Sequence, residues 1–196
     1  EGLVLPQIVA VGNDVTVRLE VDSSVYVELS GAEFGLISRA GAFAFELKNG
    51  ALDIQLGPAF NISAGQVFVQ FSSLISPVIE STTIEIGPVS YTFDNAIAAN
   101  TAAFAVVGLN VDVAGVFTLS GDIGFKKEGL VLPQIVAVGN NVTVRLEVDS
   151  SVYVELADAD FGLISRAGSF AFELKNGGLD IQLSSAFTVT GGQVFV

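Results

Sequence analysis

Residues 15–29 read VTVRLEVDSSVYVEL, and their pattern indicates the fold class. Apolar residues at positions 15, 17, 19 and 21 alternate with polar residues at 16, 18, 20 and 22, and the alternation resumes from Val25 to Leu29. A period of two puts all the apolar side chains on one face of an extended strand. The stretch therefore predicts strands with one buried face and one solvated face.

The same period recurs along the chain, in residues 43–48, 52–56, 67–72, 84–86 and 117–125. Asn49-Gly50 and Asn176-Gly177 lie between alternating runs and predict hairpin turns, as do residues 39–41. The pattern predicts an all-β protein, an antiparallel meander of hairpins that forms stacked sandwich- or solenoid-like repeats in an elongated array. Sandwich and solenoid bury the same parity of residues, so both remain open.

An internal repeat organises the chain. Residues 1–69 recur as residues 128–196, and 57 of these 69 positions are identical. We interpret residues 1–127 as one complete β repeat unit and residues 128–196 as the first part of the next copy. Residues 117–129 run into the next copy without a spacer, which favours units that share strands or pack end to end. We expect the chain to be a section of a longer tandem array.

Composition excludes several functions. The 196 residues include no Cys and no His, which excludes zinc sites, thiol nucleophiles, catalytic triads that need His, and disulfides. A net charge of −13 is unsuited to nucleic-acid binding. The longest apolar stretch is interrupted by Asn100, Asn110 and Asp112, so we expect no membrane-spanning helix. No pair of carboxylates stands out as an acid and a base, and we predict that the protein is not an enzyme.

Two stretches resemble elements of a known class of proteins. These are FTLSGDIGFK at residues 117–126 and FGLISRAGAFAFELKNGALDIQL at residues 34–56. They resemble parts of giant, tandemly repetitive, Cys-poor bacterial surface proteins of the adhesin-like kind. The resemblance implies an extracellular, multi-repeat, structural or adhesive role and supplies no functional residue. The G-G-x-G-x-D motif of calcium-loaded repeats is absent, and this departs from the pattern of that class.

Candidate sites are few. Asp149, Asp158 and Asp160 form the densest acidic cluster and are candidates for calcium, the metal most compatible with carboxylates in a chain without His. We expect no other cofactor. Asn61 and Asn141 begin glycosylation motifs, and each motif is absent from the other copy.

These observations predict a structural repeat of a secreted or cell-surface bacterial fibre, a filament that acts through continuous β stacking and an acidic, solvated surface. Its partners would be neighbouring repeats of the same chain or other copies of itself, joined covalently in tandem or noncovalently head to tail. One alternative is an adhesin repeat that binds carbohydrate or another cell surface. A second alternative is a hydrophobic β-groove that carries lipid.

Overall fold

The computed structural model describes residues 7–129, 133–184 and 187–196, and its main element is one 11-stranded sheet. The strands of the chain, in order, are β1 (Gln7–Asp22), β2 (Val25–Arg39), β3 (Ala42–Leu56), β4 (Phe60–Ser72), β5 (Thr83–Ile86), β6 (Val89–Thr92), β7 (Thr101–Val113), β8 (Phe117–Glu128), β9 (Gln134–Asp149), β10 (Val152–Arg166), β11 (Ser169–Lys175), β12 (Gly177–Ser184) and β13 (Phe187–Val194).

The sheet follows chain order as an antiparallel meander, β1-β2-β3-β4-β7-β8-β9-β10-β12-β13, with β11 also paired to β10. The predicted all-β meander is confirmed. The repeats lie side by side in one open sheet, and among the described residues no second large sheet is stacked on it. Strand alternation alone carries no information on whether a sheet has a partner layer, which is why sandwich and solenoid were both compatible with it.

Tight turns join the long strands. Ala40 and Gly41 both have positive φ, 51° and 81°, and close the β2–β3 hairpin, and Ala114 and Gly115 do the same between β7 and β8. Two successive residues with positive φ give the type I′ geometry that matches the twist of paired strands. The predicted turn at residues 39–41 is confirmed.

The hairpin turn predicted at Asn49-Gly50 is wrong, because β3 runs through both residues. Only Asn49 has positive φ, 63°, and a single left-handed residue makes a bulge and not a reversal. Asp14 and Gly31 adopt the same conformation at the middle of β1 and β2, with φ of 54° and 64°. Asn176 does so between β11 and β12, so the second predicted Asn-Gly turn is also a bulge. Bulges in several strands therefore form a line across the sheet, hereafter called the crease.

Residues 73–100, hereafter the insert, separate β4 from β7 and pack over β1, β2 and β3. The insert contains the β5–β6 hairpin and an isolated bridge between Val78 and Ile97. Its apolar side chains form the main buried cluster with the sheet; the cluster comprises Ile37, Ala44, Leu74, Val78, Ile84, Tyr91, Phe93 and Ile97. Each large side chain buried in this way contributes roughly 1.5–3 kcal/mol. No described residues form a helix that could cross a membrane.

Candidate functional site: the repeat junction, the two sheet faces and the insert

The two copies meet in a single strand pair. β8 belongs to the first repeat and β9 opens the second copy, and they pair from Phe117↔Leu146 to Glu128↔Gln134. The backbone N–H of Glu147 also donates to the carbonyl of Val116, at 2.7 Å. The sheet is therefore continuous across the repeat boundary.

The same strand sequence occupies two environments in this sheet. β1 and β9 differ only at Asp14, which is Asn141 in the second copy. β9 is an interior strand between β8 and β10, whereas the described part of the chain pairs β1 with β2 alone. The outer edge of β1 is thus a 16-residue strand edge, and the equivalent strand β9 pairs with β8 from Gln134 to Leu146 one repeat later.

One face of the sheet is apolar along almost its whole width. A single row of paired residues crosses the ten strands of the meander; it runs Leu19, Val27, Ile54, Ile62, Val111, Leu119, Val144, Leu156, Leu179 and Gly191. A neighbouring row adds Phe117, Leu146, Val154, Ile181 and Val189. Many of these side chains are solvent-exposed, with Leu19 at 71% and Leu146 at 53%. We call this surface the apolar face.

The opposite, polar face carries a charge cluster that is repeated in each copy. In the first copy the Arg18 guanidinium contacts Glu20 at 2.7 Å and Glu28 at 2.8 Å, and lies 4.0 Å from the ring centre of Tyr26. The Tyr26 hydroxyl donates to Asp53 at 2.7 Å, a bond that raises the pKa of Tyr26. Cross-strand pairs of opposite charge stabilise a sheet by fractions of a kcal/mol each.

The second copy reproduces this cluster with Arg145, Glu147, Glu155, Tyr153 and Asp180. The guanidinium contacts lie at 2.6 and 3.1 Å, and the Tyr153 hydroxyl donates to Asp180 at 2.8 Å. Paired residues thus fix both copies in the same register on the same face. The cluster is a structural repeat feature, and its residues face solvent and not a cleft.

The insert docks on the polar face around a buried carboxylate. Glu46 on β3 is fully buried and accepts hydrogen bonds from the Tyr91 hydroxyl at 2.8 Å and the Gln70 amide at 2.5 Å. Burial, together with the hydrogen bond to Glu46, raises the pKa of Tyr91 far above its ordinary value. A buried carboxylate is tolerated only when it is partnered in this way.

Shape and further polar contacts complete the docking. The Tyr91 ring lies on Gly35, where an added Cβ would come within 2.3 Å of the ring. Lys48 contacts Asp94 at 2.7 Å and donates to the carbonyl of Thr92 at 2.9 Å. The Asn13 amide donates to the carbonyl of Ser90 at 3.1 Å. The insert therefore packs on an apolar patch that has Gly35 at its base, and it contacts three polar residues of the sheet, Glu46, Lys48 and Asn13. We call these three residues the polar anchors.

Sequence reasoning missed Glu46, Tyr91 and Gly35. Glu46 has the parity of an ordinary solvent-facing residue, and the identical flanking sequence in the second copy gives Glu173 an exposed position. Tertiary contacts with the insert and with Gln70 on β4 distinguish the two glutamates, and no signal within the strand predicts them.

The predicted calcium candidates do not converge on one site. Asp149 ends β9 and accepts hydrogen bonds from the backbone N–H and hydroxyl of Ser151, at 2.8 and 2.6 Å. Val152 is the hairpin partner of Asp149, and Asp158 lies six residues beyond Val152, roughly 20 Å along β10. Asp160 accepts bonds from the backbone N–H of Asn141 and the side chain of Asn176. Within the described residues no group of three acidic side chains is placed to hold a metal ion.

The glycosylation candidates lie in strands. Asn61 is half-buried in β4, and Asn141 is exposed at the bulge of β9 with φ of 50°. Exposure therefore favours Asn141 over Asn61 as an acceptor, and modification of either stays a prediction.

Comparison of the chain with protein families, curated proteins and solved structures finds no match.

Proposed function

We propose that the chain is a structural repeat of a secreted or cell-surface bacterial fibre, in which strand pairing continues from each repeat to the next. The observation that supports this most directly is that one strand sequence occurs in two different environments. Among the described residues β1 leaves a long edge unpaired, and β9, nearly identical to it, pairs that same edge with β8. Long open edges are templates for further pairing.

The geometry favours one covalent chain over separate subunits. The strand whose sequence complements the β1 edge is β8, and in this molecule β8 already pairs with β7 and β9. A second molecule has no free β8 to offer. A preceding repeat in the same polypeptide would supply one, with the register seen at the β8–β9 junction.

The apolar face supports self-association of such sheets. At a strand spacing of about 4.8 Å and a rise of about 3.3 Å per residue, the face covers roughly 2,000 Å². A stable protein interface needs only about 800 Å² per partner, so two apolar faces packed together would exceed this requirement. The part of the polar face that carries the repeated ion pairs, outside the area covered by the insert, would stay solvated.

A matched pair of substitutions tests the association. Leu119→Glu puts a charge on the apolar face, and Thr118→Glu puts the same charge next to it on the polar face. Analytical ultracentrifugation should show wild type and Thr118→Glu above the 20.3 kDa monomer mass and Leu119→Glu at it. Three monomeric proteins would contradict the self-association.

The same apolar face favours a second candidate function, the carriage of lipid. Lipid extracted from the purified chain and detected by mass spectrometry, absent from Leu119→Glu, would favour the lipid groove over the fibre. A lipid-free, associated chain would favour the fibre.

The fibre itself is tested on native material. Electron microscopy should show long unbranched filaments, and a denaturing gel should show a chain much larger than 20.3 kDa. Compact particles of about 20 kDa would contradict the proposal. Filaments that fall apart to 20 kDa chains in detergent would contradict the covalent form.

A further inference from the structure

The second copy carries a complete but open version of the surface on which the insert docks in the first copy. In the first copy Val9, Val11 and Ile37 line the apolar part of this surface, and their counterparts are Val136, Val138 and Ile164. Exposure separates the two versions sharply. Ile37 is 2% exposed under the insert, whereas Ile164 is 50% exposed.

The polar residues of that surface that contact the insert and lie within residues 1–69 are all retained in the second copy. Glu173 corresponds to Glu46, Lys175 to Lys48 and Asn140 to Asn13. Glu173 is exposed in this structure, so it does not need a hydrogen-bond donor such as Tyr91 to compensate for burial. The glutamate at this position is buried and fully partnered when an insert covers it.

The floor of the surface is retained as well. Gly162 corresponds to Gly35, and an added Cβ at Gly162 would meet nothing within 4 Å, whereas at Gly35 it would collide with the Tyr91 ring. One lining position changes, from Ala42 to Ser169, at the rim of the β2–β3 turn. The second copy thus presents the shape of the site without its occupant.

We propose that this second-copy surface, formed by β9, β10 and β11, binds a second insert with the sequence character of residues 73–100. The occupant is supplied by the same polypeptide, directly after the fourth sheet strand of the second repeat, as the first insert is supplied after β4. The inference rests on the proposed tandem array and specifies its internal architecture: each repeat closes its own polar face with its own insert.

The connectivity supports supply within the same chain. The first insert leaves the sheet at the end of β4 and folds back over the three preceding strands before β7 begins. β13 corresponds to β4. The strands β9, β10 and β11 lie on one side of β13, and β1, β2 and β3 lie on the same side of β4. An insert after the second-copy strand would reach the open surface by the same path.

The proposal is tested in the full chain extended after Val196 by a second copy of residues 70–127. Because the chain has no Cys, an introduced pair of cysteines reports one contact cleanly. A Cβ built on Gly35 lies 3.0 Å from the Cγ of Tyr91, a spacing compatible with a disulfide between these positions. Gly35→Cys with Tyr91→Cys is therefore the positive control.

The test pair combines Gly162→Cys with the Tyr91→Cys change made in the appended segment. We expect an intramolecular disulfide under oxidised glutathione, detected as the loss of two hydrogens in the intact mass. Leu163→Cys, which faces the apolar side, should form no bond with the same partner. A disulfide in the positive control without one in the test pair would overturn the proposal, as would a disulfide that joins two molecules.

A second measurement avoids cysteine. Gly162→Leu should leave the protease sensitivity of the 196-residue chain unchanged. In the extended chain, it should make the appended insert at least tenfold more sensitive to protease. Equal sensitivity with and without the substitution would overturn the proposal. Failure of the fibre proposal would give a different result. The extended chain would then be no longer than the 196-residue chain, while the positive-control disulfide would still form.

Discussion

Gly35 and Gly162 occupy the same position in two nearly identical strands, yet only Gly35 lies under an aromatic ring. Glu46 and Glu173 form a second such pair, one buried and one solvated. At the residue scale the sequence predicted parity well, because a strand's period of two follows from backbone geometry. It could not predict which glutamate is buried, because the insert that buries it lies far away in the chain.

The glycine pair gives a direct prediction. Gly35→Ala should lower the free energy of unfolding by about 1–3 kcal/mol, since the new methyl group must displace the Tyr91 ring. Gly162→Ala should change it by less than about 0.5 kcal/mol, because the site is open. Urea denaturation of the two variants measures both values. Equal effects would show that the insert does not rest on Gly35.

Tyr91 gives a second prediction at this scale. Tyr91→Phe keeps the ring on Gly35 but removes one of the two donors to the buried Glu46 carboxylate. We expect a loss of about 1–3 kcal/mol in unfolding free energy, since a buried charged acceptor loses a partner. Tyr153→Phe is the control, because its partner Asp180 lies in a half-buried surface cluster. A larger loss in Tyr153→Phe than in Tyr91→Phe would contradict the account.

At the element scale, the sequence identified the hairpin of Ala40 and Gly41 but misassigned the Asn-Gly pairs. Asn-Gly is a strong turn signal because both residues tolerate positive φ. Here only the Asn uses it, and Gly50 is needed because Leu29 approaches within 2.7 Å of any added Cβ. The repeated crease of bulges depends on neighbouring strands bending together, and a pattern within one strand does not contain that information.

The edge strand gives a prediction that links element to function. The backbone N–H of Glu147 donates to the Val116 carbonyl of β8, and its counterpart Glu20 lies on the edge strand β1. Pro lacks this N–H and is tolerated at sheet edges. Glu147→Pro should therefore reduce the unfolding free energy by about 1–3 kcal/mol more than Glu20→Pro. In a chain preceded by another repeat, the two losses should become equal, and a persistent difference would contradict continuous pairing.

The β1–β2 and β9–β10 hairpins carry a pH dependence. Hydrogen bonds from the hydroxyl and backbone N–H of Ser151 hold the pKa of Asp149 below its ordinary value, and Ser24 does the same for Asp22. Because the folded pKa is the lower one, this stabilisation is present above about pH 4 and is lost as the pH falls through the folded pKa. Thermal unfolding of Asp149→Asn should depend less on pH in this range than wild type does. An unchanged acid slope would contradict the assignment.

At the scale of the whole molecule, the repeat and its strand parity predicted an antiparallel meander with one buried and one solvated face, arranged in stacked sandwich- or solenoid-like repeats; the meander is observed and the stacking is not. The single layer was not predicted, because alternation is the same whether or not another layer covers the apolar face. β8 and β9 pair directly where the two copies meet, in keeping with the absence of a spacer in the sequence.

The length that each repeat adds to the molecule is the most direct test of a continuous sheet. One repeat contributes six strands to the sheet, and at a strand spacing of about 4.8 Å this amounts to roughly 29 Å. Chains with one, two and three additional copies of residues 1–127 placed before this chain should lengthen by this increment at each step in small-angle X-ray scattering. Particles that grow as compact bodies, without a constant increment in their longest dimension, would contradict a continuous sheet.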